Sequence, residues 1–404
     1  MSGFKNININ PDSISMDAGS RTRVSQITTL HDGKILNGDN TNVFDTQGTG
    51  TSGFTGNKFG MSAATGQYVI RQTKRFSPYS AGKSQLVECT FDTFGLESGV
   101  TKRVGYFSTS AVAPFTASTD GFYLENDGTT YKLKVERLGV ETVNVPWTSW
   151  DNYALVSGYS WNNFTVVVFD FLWLGGAVLR FFLKTNQGFV LCHTINYTGV
   201  AQDVFLSSPN QPIRYSIRSS GTTGSFRYIC SQVATEGSIN ECGYNIAVAT
   251  PITASVPSNT VATIGTTYPL KSVRKKTTHR DISIKVTGAQ VFVGSNTDIL
   301  HWSIQLNPTL SSPLTYTDVA NSSIQEADGS TTAATISKTV TIPGKVIARG
   351  IVTQGTLMPQ NLFETDFLSY LGCSLTNVMD ELVLCVTPIT ATITLNGVIS
   401  LKEY

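Results

Sequence analysis

The chain has 404 residues, 40% of them apolar, enough to fill two or three separate cores. Only 14% are charged, against about a quarter in an average protein, and the formal net charge is +1. That balance excludes a general electrostatic pull toward nucleic acid or anionic lipid. A surface of Ser, Thr, Asn and Gly is cheap to desolvate and suits a protein that partners cover.

Residues 1–45 are polar and irregular, rich in Asn, Asp and Ser, and read as an arm that orders only against something else. The opening "MSGFKNININPDSISMD" lacks the basic-then-apolar pattern of a signal peptide, so synthesis in a cytoplasm without export by that route is expected. From 46 to 245 nearly every segment alternates apolar and polar residues between Gly, Asn and Asp turns. This predicts a block of many strands folded as a two-sheet sandwich.

Within that block, "LENDGTT" offers Glu125 and Asp127. Sandwich-fold glycosidases set two carboxylates on a Glu-x-Asp-x-x-Glu strand, but Thr130 stands where the last acid belongs, so the pair is incomplete. Asn126-Asp127-Gly128 reads instead as a turn between "GFYLE" and "YKLKVE". A calcium site on Asp120, Glu125 and Asp127 is the lesser alternative. "KLKVERLGVETVNV" keeps the two-residue rhythm, with a break at Gly139. Aromatics then crowd together: Trp147, Trp150, Tyr153, Tyr159 and Trp161. Exposed, they would stack on sugar rings as a glycan-binding rim; buried, they would plug the end of the sandwich, the commoner outcome.

The greasiest stretch is "WNNFTVVVFDFLWLGGAVLRFFLKTNQG". Phe164 to Leu183 is 20 residues, about the length a bilayer requires. Asp170 and Arg180 lie inside it, each costing about 2.5–3.5 kcal/mol near the centre of a membrane helix. Thr165 to Phe169 are strand formers, and Gly175-Gly176 splits the run, so the expectation is a β-hairpin and no membrane insertion. A loop of Leu174 to Gly176 would set Asp170 opposite Arg180; a two-residue loop would put them on opposite faces.

Residues 246–269, rich in Thr, Ser, Ala and Pro, read as a linker or edge strand. Residues 270–404 are expected to form a second, smaller β-sandwich. It opens on a basic stretch with Lys271, Arg274, Lys275, Lys276, His279 and Arg280. Three readings apply: a solvated strand edge blunted by lysines, a phosphate-holding patch, or a contact for a neighbouring subunit. No aromatics interleave, so base stacking has no support and nucleic acid is not an expected partner. "DISIKV" alternates as a strand. "NLFETDFLSYLG" is the one helical pattern, about two turns long. In "ITATITLNGVISLKEY", Asn396-Gly397 between alternating runs is the best hairpin signal in the chain.

Catalytic templates fail one by one: there is no G-x-S-x-G, H-E-x-x-H or phosphate-binding glycine loop. His31, His193, His279 and His301 are scattered, and no cofactor motif is found. The six cysteines (Cys89, Cys192, Cys230, Cys242, Cys373, Cys385) contain no C-x-x-C spacing, which favours buried free thiols, with Cys230–Cys242 or Cys373–Cys385 as bridges in an oxidising setting.

The phrases "SRTRVSQITTLHDGKILNGDNTNVFD", "QYVIRQTKRFSPYSAGKSQLVE", "TKRVGYFSTSAVAP", "FDFLWLGGAVLRFFLKT", "RYICSQVATEGSINE" and "FLSYLGCSLTNVMDE" together resemble a virion-structural family of tailed bacteriophages, the crAss-like and related podoviruses. The resemblance implies a non-enzymatic, multi-copy component of the capsid surface, neck or tail, of fibre or decoration type. Its partners would be other virion proteins and further copies of itself. It would be made in a bacterial cytoplasm and located in the virion. Separately, "RVGYF", "DGFYLENDG", "YKLKVE" and the hairpin are similar to the strand rhythm of concanavalin-like and laminin-G-like sandwiches. This implies an all-β fold: an irregular N-terminal arm, a concanavalin-like jelly-roll sandwich and a second β-sandwich. The alternative function it carries is recognition of host-surface glycan. The hairpin would then be a central pair, one face buried by the second sheet and the other covered by loops or a neighbouring subunit.

Overall fold

In the computed structural model the described residues are all but 1–13, 15, 35–40, 42, 110–117, 175–177, 200–202, 238–242, 252–258, 294–298, 331–334, 353–369 and 391. They are almost entirely β, and they divide into two compact units, 1–240 and 241–404.

The first unit contains β1 (Ile27–Lys34), β2 (Phe44–Gly48), β3 (Thr51–Thr55), β4 (Lys58–Ala63), β5 (Tyr68–Thr73), β6 (Gln85–Asp92), β7 (Val100–Thr109) and β8 (Thr119–Asn126). There follow β9 (Tyr131–Arg137), β10 (Val140–Pro146), a one-turn α1 (Tyr153–Val156), β11 (Thr165–Leu172), β12 (Val178–Thr185), β13 (Gly188–Asn196), β14 (Ile213–Ser219) and β15 (Gly224–Glu236). Among the described residues one antiparallel sheet runs β13-β12-β11-β6-β15-β4-β3, with β1 also beside β15; the other runs β10-β9-β8-β7-β14-β5-β2. Alternation along each strand sends one row of side chains to the other sheet. Phe122 of β8 packs on Phe169 and Phe171 of β11, ring centroids 5.3 and 5.0 Å apart, and Tyr215 of β14 stacks on Tyr228 of β15 at 4.7 Å. The result is a face-to-face sandwich with an aromatic core.

The hairpin is two strands. Its register pairs Asp170 with Arg180 directly, and Leu172 with Val178, while Gly175 to Ala177 lie outside the described residues. Among the described residues no helix is long and apolar enough to cross a membrane. The outer face of the hairpin is covered by the chain's own N-terminal segment. Ile14 packs on a cluster of Leu86, Val168, Phe182 and Leu191, and Ala18 packs on Leu172. The described part of the arm therefore belongs to the first unit. Strand β1 pairs with β15 from Ile27↔Glu236 to Lys34↔Cys230, because β15 has 13 residues and β4 pairs with only its first half.

The second unit contains β16 (Tyr244–Ala249), β17 (Asn259–Val261), β18 (Tyr268–Lys275), β19 (Ile284–Val293), β20 (Leu300–Leu306), β21 (Thr309–Leu310), β22 (Thr317–Asp318) and β23 (Ile324–Asp328). It ends with β24 (Val340–Ile342), β25 (Lys345–Val352), β26 (Leu382–Pro388) and β27 (Ile393–Glu403). Among the described residues β27 lies between β19 on one side and β16 and β17 on the other, and a second sheet runs β22-β23-β18-β26-β20-β25. Leu270, Val273, Leu384, Ile399 and Leu401 join one core between them. The stretch 246–269 is thus not a free linker: β16 and β17 are strands of this unit.

Three further expectations meet the structure here. Asn396-Gly397 does not turn; β27 runs straight through it for 11 residues. A Cβ on Gly397 would fall 2.6 Å from Leu270 Cδ2 and 3.0 Å from Leu384 Cδ2, so glycine is present because the opposite sheet approaches closely. Cys373 and Cys385 are free and buried, as are Cys89 and Cys192; Cys230 is exposed, and Cys242, its expected partner, lies outside the described residues. So does most of the expected helix at 361–372. Its last part holds Tyr370, bridged to Lys285, and buried Leu371.

Candidate functional site

Strands β3 and β4 form a hairpin around Gly56-Asn57, with Gly56 at φ +60°, the first position of a tight hairpin turn. Gly53 and Gly60 are equidistant from that turn and therefore face each other across the ladder. Neither has a positive φ. A Cβ at Gly53 would meet nothing within 4 Å, and one at Gly60 only Gly53 O at 3.8 Å and Arg227 Cγ at 4.0 Å. Neither backbone conformation nor internal packing calls for glycine at these two positions, although glycine weakens a strand. What the missing side chains leave is the floor of an open groove of about 590 Å³ on the outer face of the sheet.

The walls are hydroxyl-rich: Thr51, Ser52, Thr55, Ser62, Thr93 and Ser225, with Arg227 at the rim. Arg227 Nε donates to Asp92 Oδ1 at 2.6 Å, and Lys58 Nζ to Asp92 Oδ2 at 2.5 Å. Burial pushes the Asp92 carboxyl up, but bonds from Lys58, Arg227 and Thr93 outweigh it and hold the pKa below the ordinary value. Thr93 itself sits at φ +58°, a strained conformation for a β-branched residue. The turn is fixed from the opposite sheet. Lys102 Nζ donates to the carbonyls of Thr93 (2.8 Å) and Gly95 (3.2 Å), and Asn126 Nδ2 to those of Phe94 (2.7 Å) and Gly95 (2.8 Å). The turn places Thr93 Oγ1 2.9 Å from Asp92 Oδ1, to which it donates.

The aromatic group divides. Trp150 and Trp161 are each 3% exposed. Trp150 packs on Phe181 at 5.1 Å, and Trp161 stacks on Tyr131 at 4.7 Å, so both plug the end of the sandwich. Trp147 and Tyr153 are half-buried and in edge contact at 5.4 Å. Only these two of the four retain surface for a ligand.

The basic stretch is turned inward. Strand β18 is flanked by both β23 and β26, so it is no sheet edge. Buried Lys271 meets Glu326 at 2.7 Å and Asp328 at 2.8 Å. Lys275, buried so that its pKa falls, donates to the carbonyls of Arg280 (2.6 Å) and Ile282 (3.2 Å). Arg274 lies 3.8 Å over the Tyr316 ring and pairs with Glu381 at 3.4 Å, and Lys276 reaches Asp318 at 3.5 Å. These residues brace the second unit; they do not form an exposed cationic patch.

The three acids weighed as a calcium site are kept apart. On β8, Asp120 and Glu125 point to opposite faces. Asp120 accepts from the Ser207 and Ser208 amides and Gln211; Glu125 pairs with Arg103 and Lys134; Asp127 caps the turn at Thr129 and Thr130 and pairs with Lys132. Among the described residues no three His, Cys, Asp or Glu side chains are grouped to hold a metal ion. His193 is a β13 residue 3.0 Å from Asp151, His301 lies in β20, and His279 contacts Thr278. The sequence reading missed the groove, although two glycines placed symmetrically about a Gly-Asn turn were a usable signal.

No known protein family and no curated protein matches the chain. Solved structures do. The carbohydrate recognition domain of Emp47p is 10% identical, covering 53% of this chain and 98% of its own, with a TM-score of 0.35. The calcium-bound exoplasmic/lumenal domain of VIP36 is 12% identical over 53% and 98%, with a TM-score of 0.36. A Bacillus licheniformis beta-glucanase is 12% identical over 53% and 100%, with a TM-score of 0.35. Scores this low carry no argument about this chain's fold or ligand.

Proposed function

We propose that the protein is a non-catalytic carbohydrate-recognition component of a phage particle, with the first sandwich receiving a saccharide in the Gly53–Gly60 groove. The observation that carries the ligand reading is the facing glycine pair, which nothing inside the fold requires and which keeps the groove open. Its volume falls within the usual range for ligand sites, and its walls supply neutral hydroxyls that both donate and accept, as sugar hydroxyls do. The virion location rests on the sequence resemblance and on the low charge. Titration of the intact chain against an oligosaccharide panel tests the reading, with Gly60→Leu as the blocked control. Binding abolished in a folded Gly60→Leu supports it; binding unchanged refutes it.

Assembly by the second unit is a companion reading, favoured by β25. It is the outermost strand of its sheet among the described residues and carries exposed Val346 and Ile351, the latter 64% exposed. A long apolar edge normally pairs with or is covered by another chain. Val346→Lys together with Ile351→Lys should leave the unit folded and prevent incorporation into particles. Normal incorporation would overturn this reading.

A further inference from the structure

The inference here rests on the saccharide reading of the same groove and specifies the ligand's charge. We propose that the saccharide is acidic, its carboxylate or sulfate held by Arg227 with Lys58 beside it.

One carboxylate stands between two cations at the rim, so the Asp92–Arg227–Lys58 group carries a net single positive charge. The Asp92 side chain is 5% exposed, whereas those of Arg227 and Lys58 are 49% and 39% exposed. Asp92 thus serves as an internal anchor, and the cations face outward. Arg227 uses Nε for Asp92; its two terminal nitrogens have no partner among the described residues. These nitrogens are the donors that grip a carboxylate or sulfate. Holding the guanidinium by its Nε orients it before a ligand arrives and reduces the entropy lost on binding.

Two other features converge on the same place. The Cβ missing from Gly60 would sit 4.0 Å from Arg227 Cγ, so the open floor adjoins the cation. Thr93 also lines the groove, and its strained turn, fixed through the sandwich by Lys102 and Asn126, places its hydroxyl on Asp92. An ordinary surface ion pair has no need of a strained β-branched residue or a glycine-paved neighbour. The combination marks a prepared anion position beside a sugar-sized groove.

The test is calorimetry on the intact chain with hexasaccharides of three kinds: neutral glucose, galacturonate and sulfated. The expected result is that an acidic probe binds about ten-fold or more tightly than the neutral one. Its affinity should fall as salt rises from about 50 to 500 mM. Arg227→Gln should remove that advantage in a chain that still folds cooperatively, and Arg227→Lys should restore part of it. Which acidic probe wins separates carboxylate from sulfate. Equal affinity for neutral and acidic probes, or an acidic preference untouched by Arg227→Gln, overturns the inference and leaves the saccharide reading standing. No binding of any probe, or acidic binding that survives Gly60→Leu, overturns both.

Discussion

Asp170 of β11 and Arg180 of β12 face each other across the hairpin, and Arg23 of the N-terminal segment closes on the same carboxylate from outside. Arg180 Nη2 lies 2.5 Å from Asp170 Oδ2, Arg23 Nη2 lies 2.7 Å from Oδ1, and Ser84 Oγ donates to Oδ1 as well. Arg23 also reaches Glu236 at 2.5 Å, and Arg180 donates to the Met16 carbonyl. A carboxylate with no exposed surface thus ties the arm to the sheet, and apolar contacts from Ile14 and Ala18 complete the cover.

Removing one member of such a set leaves uncompensated buried charge. Asp170→Ala is expected to destabilise the first unit by about 3–5 kcal/mol in urea unfolding, and Arg23→Ala to expose the segment 16–34 to protease. A loss under about 1 kcal/mol would mean that the cluster behaves like a solvated surface pair.

His31 gives the arm an acid limit. It lies on β1, buried, with Nε2 2.9 Å from Ser231 Oγ and its ring edge-on to Phe44. Burial lowers its pKa from 6.5 to about 3; Asp32 opposes the shift and Arg75 adds to it. The unfolded chain takes up a proton below about pH 6.5 while the folded one does not. The contribution is therefore complete above pH 6.5 and is lost as pH falls toward 3, by on the order of 4–5 kcal/mol. Amide protection factors across Ile27–Lys34, taken relative to the intrinsic exchange rate at each pH, should fall between pH 6.5 and 4, and His31→Gln should flatten that dependence. Equal pH slopes in both proteins would exclude His31 as the cause.

Two glycine substitutions should have opposite signs. Gly397→Ala pushes a methyl group into Leu270 and Leu384 and should cost about 1–3 kcal/mol of the second unit's stability by thermal unfolding. Gly60→Ala meets no obstacle and should be neutral or stabilise the first unit by about 0.5–1 kcal/mol. Destabilisation at Gly60 would mean that the glycine serves the fold and not the groove.

The aromatic group separates by burial. Trp150→Ala should cost about 3–5 kcal/mol, because it empties a core position against Phe181. Trp147→Ala, at a half-buried position, should cost about 1–2 kcal/mol. Equal small effects would place Trp150 at the surface.

Alternation along single strands and the conformational demands of single turns are local properties, and the sequence alone was enough for both. The all-β class and the turn at Asn126-Asp127-Gly128 belong to this group; for the hairpin the local pattern left two loop lengths open, and only the pairing of β11 with β12 set Asp170 opposite Arg180. What a residue faces across a sheet depends on pairing with strands a hundred or more positions away, and no local pattern encodes that. Asn396-Gly397 has the composition of a turn, yet β27 passes through it because β16, β17 and β19 hold both its edges and the opposite sheet leaves no room for a side chain. Lys271 and Lys275 read as a charged surface until β23 and β26 enclose them, and the arm reads as loose until the outer face of the hairpin supplies its charges. The groove is of the same kind: Gly53 and Gly60 come from one hairpin, but Asp92, Thr93 and Arg227 reach them only when β6 and β15 are laid alongside.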